Sequence, residues 1–208
     1  GSSISDIAKL DDTRLKELEE QYDDSKKVRR PKAKVDQVDI NSTLQSLVMA
    51  LNGYKLDIIS HELAKVKESL GPRDFALSIL APLLAEVGSL VDKKVLSIAQ
   101  EHSLSAIIKF HVGHMLYKHM EERDKVDMNI IISAPTGELH EFGIMISALL
   151  CCHYNLKFFY LGANMPGDSL SEAANQIGAD IVIIGVSVVY ETAPGGELDK
   201  YVEQMKTY

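Results

Sequence analysis

The stretch Asn129–Gly143, NIIISAPTGELHEFG, changes the period of the chain. Asn129–Ser133 is a short apolar run of the β-branched kind that suits a strand buried on both faces. A glycine-containing loop follows, and then a helix from about Glu141 to Tyr154. The alternation continues downstream. Lys157–Leu161 (KFFYL) reads as a second strand, Asn164–Asp168 as a loop, Ser169–Ile177 as a helix and Ile181–Ser187 (IVIIGVS) as a third strand. Strands alternating with helices across short loops predict βαβ units and a parallel sheet. Such sheets bind ligands outside the carboxyl ends of their strands. A further loop and helix are expected from Tyr190 to Tyr208, and the remaining strands of an open doubly wound sheet are expected beyond Tyr208.

Upstream of this sheet the period is helical. Asn41 or Ser42 can cap a helix that runs through Asn52 and ends at Gly53. Leu56–Leu70 repeats apolar residues at helical spacing and stops at Gly71-Pro72. Phe75–Leu90 predicts a third helix, kinked or interrupted near Pro82. Ser97-Ile-Ala-Gln100 has capping-box spacing and opens a fourth helix to about Arg123. Four helices with short connections predict a four-helix bundle. The fold class is therefore α plus α/β, a four-helix bundle followed by a Rossmann-like doubly wound parallel sheet.

The N-terminal residues differ again. Ile4, Ile7, Ala8, Leu10, Leu15 and Leu18 make a helical stripe broken at Asp11-Asp12-Thr13. Lys26–Lys34 (KKVRRPKAK) is a basic run around Pro31, either a solvated linker or a phosphate-contacting tail. Among 208 residues, 46% are hydrophobic and 25% charged, enough to bury real cores. The formal net charge of −8 gives no bulk attraction to nucleic acid. By this reading no stretch is apolar for long enough to span a bilayer and no signal-peptide pattern opens the chain. The two cysteines, Cys151 and Cys152, are adjacent, where a mutual disulfide is geometrically disfavoured. Free thiols suit a reducing cytoplasm, and a cytoplasmic protein is expected.

The loop after the first strand carries the chemistry. Gly137 and Gly143 bracket His140 at the carboxyl edge of the strand. Gly143, in the first helical turn, lets a bulky partner or the sheet approach closely. Imidazole is a good metal ligand, and a neighbouring carboxylate, Glu138 or Glu141, can fix its tautomer and raise its basicity. On the fourth helix, Leu104, Ile107, Ile108, His111 and Met115 share a face that should pack in the bundle. His102 points roughly opposite, in line with Ser105, Ala106 and Gly113. Small residues there either leave room for a flat ligand or permit close helix packing. His111, His114 and His119 are read as structural or surface histidines, since no second cluster of ligands accompanies them. Cys151 and Cys152 are read as small hydrophobes, with covalent attachment of a chromophore as the alternative.

Glu138-x-His140-x-x-Gly143, followed after the third strand by Ser187-x-Val189, resembles the cobalamin-binding domain of methionine synthases, mutases and corrinoid proteins. The resemblance runs from about Val126 onward. It implies that His140 replaces the cofactor's own lower base on cobalt, with that base lying along a groove lined by the serine-containing turn. The first motif position is Glu rather than the commoner Asp, Val189 stands where Leu is usual, and Gly195-Gly196 comes too early for the family's later Gly-Gly pair. Ser97–Ser105 further resembles the bundle of CarH/LitR-type photoreceptors, MerR-family repressors that sense light with adenosylcobalamin. Glu101-His102 match the end of their Trp-x9-Glu-His signature, and Val91 stands in the tryptophan position. The opening Gly1–Ala8 looks like the tail of a MerR winged-helix domain.

The resemblance implies a remnant of a DNA-binding domain over 1–24, a basic linker over 25–39, a bundle cap over 40–125 and a cobalamin-type domain over 126–208. It implies a non-enzymatic, light-sensing part of a transcriptional regulator, a homo-oligomer with DNA as partner and no membrane. His140 is the expected lower axial ligand and His102 a candidate upper one. Glu138, Gly143, Glu101, Val91, Ser105, Ser187 and Val189 complete the expected site. Without the tryptophan, the same pocket can instead serve another tetrapyrrole, biliverdin or haem. A corrinoid carrier subunit of a methyltransferase is the third reading.

Overall fold

The computed structural model describes residues 39–121, 126–187, 190 and 197–206. The expected winged-helix remnant, nearly all of the basic linker, Val189 and Gly195-Gly196 lie outside them.

Helix α1 (Ile40–Asn52) begins two or three residues earlier than expected, because the Asp39 carboxylate accepts from the Ser42 amide at 3.2 Å. An acidic cap of this kind satisfies an amide that has no partner inside the helix. Gly53 ends the helix at φ −90°, and the left-handed turn falls on Tyr54 instead. Helix α2 (Leu56–Ser69) stops in extended backbone at Leu70. Helix α3 (Pro72–Asp92) starts with proline in its first turn, where a missing amide costs nothing. Its expected irregularity near Pro82 is a π-helical segment, Phe75–Leu80, just upstream. The Ala81 amide reaches back five residues to the Ala76 carbonyl. This wider turn makes room for a proline ring that would otherwise collide with a carbonyl of the preceding turn.

Helix α4 (Ile98–Met120) opens with the expected capping box: the Gln100 amide donates to Ser97 Oγ, and the Ser97 amide donates to Gln100 Oε1. Gln100 is 6% exposed, and its Nε2 also donates to the Leu51 and Asn52 carbonyls. One side chain thus caps the start of α4 and the end of α1. The buried stripe of α4 is Gln100, Leu104, Ile108, Val112, Leu116 and His119. Ile107, His111 and Met115, expected on the packing face, sit at its half-buried margin. The bundle centre is made by Leu47, Leu51, Ile59, Leu63, Phe75, Ile79, Leu80, Leu83, Leu104 and Ile108.

By length and composition α3 is apolar enough to cross a membrane, which corrects the sequence expectation. Its apolar residues Phe75, Ala76, Ile79, Leu80, Leu83 and Val87 are buried in the bundle.

Strands β1 (Val126–Pro135), β2 (Leu156–Met165) and β3 (Ile181–Ile184) form a parallel sheet in the order β2-β1-β3. Central β1 alternates between two cores. Ile130, Ile132 and Ala134 join the bundle-side cluster with Ile144, Ala148 and Leu149 of α5 (Phe142–His153). Ile131 joins Leu170 of α6 (Gly167–Ile177) and Tyr201 of α7 (Glu197–Lys206) on the opposite face. Helices therefore cover both faces, and the bundle shares one core with the α5 side of the sheet. His119, near the C-terminus of α4, donates from Nε2 to the Leu156 carbonyl and stacks on Phe158 of β2. At the end of β3, Gly185 lies directly beneath Ile144, with no room for a β-carbon.

Candidate functional site

With the strand order β2-β1-β3, the chain leaves β1 toward β2 and later returns to the other side of β1. The reversal opens a crevice at the carboxyl ends of β1 and β3, where open α/β sheets place ligands. His140 follows β1 and Ser187 follows β3, so both stand at this point.

Three loops are tied together there. Gly137 takes φ +86°, and its amide donates to Asn164 Oδ1 at 2.9 Å. Asn164, itself at φ +58°, donates its amide to the Glu138 carbonyl. Glu138 is 2% exposed and turns its carboxylate inward. Oε1 accepts from the His140 amide at 2.8 Å and from His140 Nδ1 at 2.6 Å, while Oε2 accepts from the Ser187 amide at 2.7 Å. Burial pushes this carboxyl up, but hydrogen bonds from Ser187 and His140 outweigh it and bring its pKa to about 2. The ionised carboxylate can only accept, so Nδ1 carries a hydrogen. With Nδ1 holding a hydrogen, Nε2 is the nitrogen free to bind a metal, and it makes no hydrogen bond among the described residues. The ring is 71% exposed. Glu138, rather than Glu141, is the tautomer-fixing partner.

Above His140 lies a cleft of about 310 Å³. Leu84, Val87, Gly88, Val91 and Asp92 line it from α3, Glu101, Leu104 and Ser105 from α4, and His140 with Phe142 from below. Its size is at the small end for ligand pockets. Ser105 Oγ donates to Glu101 Oε1 at 2.9 Å. A β-carbon on Gly88 or on Gly143 would meet nothing within 4 Å, so both backbones border open space. Four expected site residues, Val91, Glu101, Ser105 and His140, thus meet at one cleft, with Glu138 and Ser187 supporting the histidine. His102 is not among the lining residues. Its ring is 75% exposed and faces Glu101 Oε2 at 3.4 Å. Ala106 and Gly113 are also exposed, so those small residues face solvent rather than the cleft.

Sequence reasoning missed Asn164, Asp92, Gly88 and Phe142. The first was visible as the loop after the second strand. The others come together only when α3 packs over the sheet. It also missed Lys109 of α4, which forms an ion pair with Glu141. The Glu141 charge, after burial, helps to raise the pKa of Tyr160, whose hydroxyl is buried without a hydrogen-bond partner. Cys151 is buried, its thiol pushed up to about 11 by desolvation, and packs as a small hydrophobe. No group of three or more metal-ligating side chains occurs among the described residues.

The comparisons with known proteins bear on this arrangement. Residues 41–115 match the family described as the B12 binding domain. The B12 binding domain match begins in α1, ends within α4, and contains Val91, Glu101 and Ser105. The chain is 28% identical over 145 residues to the HTH-type transcriptional repressor CarH of Myxococcus xanthus, covering 70% of this chain and 47% of that protein. It is 24% identical over 168 residues to the repressor CarA of the same organism, covering 81% and 54%. The chain thus spans about half the length of the curated relatives it matches. Among solved structures it aligns with the methanol:cobalamin methyltransferase complex MtaBC of Methanosarcina barkeri, at 15% identity and TM-score 0.36, covering 93% of this chain and 76% of that one. A cobalamin-binding protein of Desulfitobacterium hafniense aligns at 18% identity and TM-score 0.37, covering 82% and 78%.

Proposed function

We propose that this region is the sensor of a light-responsive MerR-type transcriptional regulator, holding cobalamin in its adenosyl form between the bundle and the α/β sheet. The observation that carries the reading is the Glu138-held His140, whose Nε2 lies exposed beneath a cleft walled by Val91, Glu101 and Ser105. The donor set fits the cofactor. His140 offers one imidazole lone pair, and a buried carboxylate holds the opposite ring nitrogen, the arrangement that raises ligand basicity. Gly143 leaves the first turn of α5 open to a bulky partner.

Adenosylcobalamin supplies a light-sensitive cobalt–carbon bond. The chain's own residues bind and orient. His140 would hold the cobalt through Nε2, with Glu138 fixing its tautomer and Ser187 fixing Glu138. Ser187 would border the groove for the displaced base, and Val189, expected beside it, lies outside the described residues. Glu101, Ser105 and Val91 would wall the bound group on the bundle side, and His102, exposed beside Glu101, would be a further candidate ligand. The domain reading (bundle cap over 40–125, cobalamin-type domain over 126–208, DNA-binding remnant over 1–24) belongs to this proposal. So do a DNA partner, a homo-oligomer, a cytoplasmic location and the absence of catalysis.

A second reading, another tetrapyrrole such as biliverdin or haem in the same pocket, is favoured by one feature. Val91 and the bare Gly88 backbone leave room where the CarH-type signature has tryptophan. Absorption spectra of the purified protein with each cofactor separate the readings. Red cobalamin bands that change under green light are expected. Far-red absorption with biliverdin and no cobalamin uptake would replace the first reading by the second. Methylcobalamin held without response to light and exchanged with a methyltransferase would instead favour the carrier reading. Normal binding of every ligand by His140→Ala would remove the axial role from His140.

A further inference from the structure

Glu141 occupies the N-cap position of α5, yet its side chain makes no capping bond. Its Oε2 pairs instead with Lys109 of α4, which follows Glu101 and Ser105 in the same row at four-residue intervals. Its Oε1 lies 3.7 Å from where a Gly162 β-carbon would stand, over β2. On the same strand, Tyr160 packs against the bundle-side core with its hydroxyl buried and unpartnered. The carboxylate next to His140 therefore has one donor engaged on the bundle and a second, idle donor nearby in the sheet.

Two opposing terms act on the Glu141 carboxylate. The Lys109 ion pair is partly exposed, with side chains 43% and 22% accessible, so water weakens it. A buried hydroxyl without a partner is costly, and a carboxylate that turned to it would remove that cost. A gap of a few kcal/mol between two such positions would leave the minor one populated at roughly 0.1–10%. The other flank of the loop is fixed, because Glu138 holds His140 to Ser187 across the crevice.

We propose that Glu141 is a two-position latch: paired with Lys109 it ties the bundle to the His140 loop, and turned to Tyr160 it lets bundle and loop part. The latch stands on these contacts alone; only what passes through the opening rests on the tetrapyrrole reading. Lys109 and Glu141 act as positioning residues for His140.

The test is amide hydrogen exchange at residues 139–145 of the ligand-free chain, with stopped-flow uptake of hydroxocobalamin as second readout. Lys109→Met should speed exchange about threefold. Tyr160→Phe, which removes the alternative partner, should slow it by a similar factor. Raising ionic strength should speed exchange in the wild type and leave Lys109→Met unchanged, a response that a packing role for the lysine stem would not give. Uptake should follow the same order. Exchange in Lys109→Met equal to the wild type, or insensitivity of the wild type to salt, would overturn the latch. Exchange in Tyr160→Phe equal to the wild type would overturn the second position. If exchange follows the prediction but no form takes up hydroxocobalamin, the latch stands and the cobalamin reading falls.

Discussion

At Glu138 one carboxylate does three things: it holds the His140 amide, the His140 ring and the Ser187 amide. Glutamine has the same shape but only one accepting oxygen, and its amide nitrogen would face a donor. Glu138→Gln should therefore cost about 1–3 kcal/mol of stability in urea unfolding. It should also weaken hydroxocobalamin binding about 10- to 100-fold by absorbance titration, as removal of a histidine's carboxylate partner does at other metal sites. Equal affinity in the two proteins would mean that the ring needs no such support. Val91 is the complementary case. Tryptophan at this position would fill the cleft beside Gly88 with a large aromatic side chain. Val91→Trp should lower uptake of biliverdin while leaving adenosylcobalamin uptake intact, both read from absorption spectra. Loss of both would show that the cleft needs its present volume for either ligand.

Between elements, single residues hold the ends together. Gln100 satisfies the capping box of α4 and two C-terminal carbonyls of α1 from a buried position. Gln100→Ala strips those groups of their partner where water cannot replace it, and should cost about 2–3 kcal/mol by urea unfolding. A loss no larger than that of a surface substitution would mean that the α1 end frays without penalty. Gly185 tests the sheet in the same way. A β-carbon there must push Ile144 out of the core, so Gly185→Ala should cost about 1–3 kcal/mol. The sequence made Ser97–Gln100 legible as a capping box because that signal is local. The change from helical to strand period near Asn129 was equally plain. The second task of Gln100 was not legible, since it depends on where α1 ends in space. The same holds for the cleft: Glu138 and His140 belong to one short motif, whereas Gly88, Asp92 and Phe142 join them only through packing. His102 stands on the side of α4 away from its buried stripe, as its helical position predicts, and is exposed. That Glu101 and Ser105 border the cleft and His102 does not is decided by how α3 packs beside α4, which helical spacing alone does not carry. The π-helical stretch before Pro82 also escaped, because proline announces an irregularity without saying which kind.

For the molecule as a whole, the bundle shares its core with the sheet, so the acid response of the bundle bears on the cleft. His111 lies half-buried between α2 and α4. Lys67 Nζ donates to its Nδ1 at 3.5 Å, and Ser60 Oγ lies 3.2 Å from Nε2. Facing an ammonium donor, Nδ1 must keep its lone pair, so the proton sits on Nε2 and points to Ser60. Desolvation first, then the charges of Lys67 and His114, lower the pKa of His111 below 6.5, against the opposing bond with Ser60. The unfolded chain therefore binds more protons than the folded one just below pH 6.5. Stability from this group is complete above that value and falls as pH drops toward the folded pKa. The slope from one histidine cannot exceed about 1.4 kcal/mol per pH unit. His111→Gln removes this proton uptake while keeping a polar side chain for Ser60. Urea unfolding at pH 8 and pH 5.5 should show the wild type losing more stability on acidification than His111→Gln does. An identical loss in both proteins would place the acid sensitivity elsewhere and leave α2 and α4 joined by packing alone.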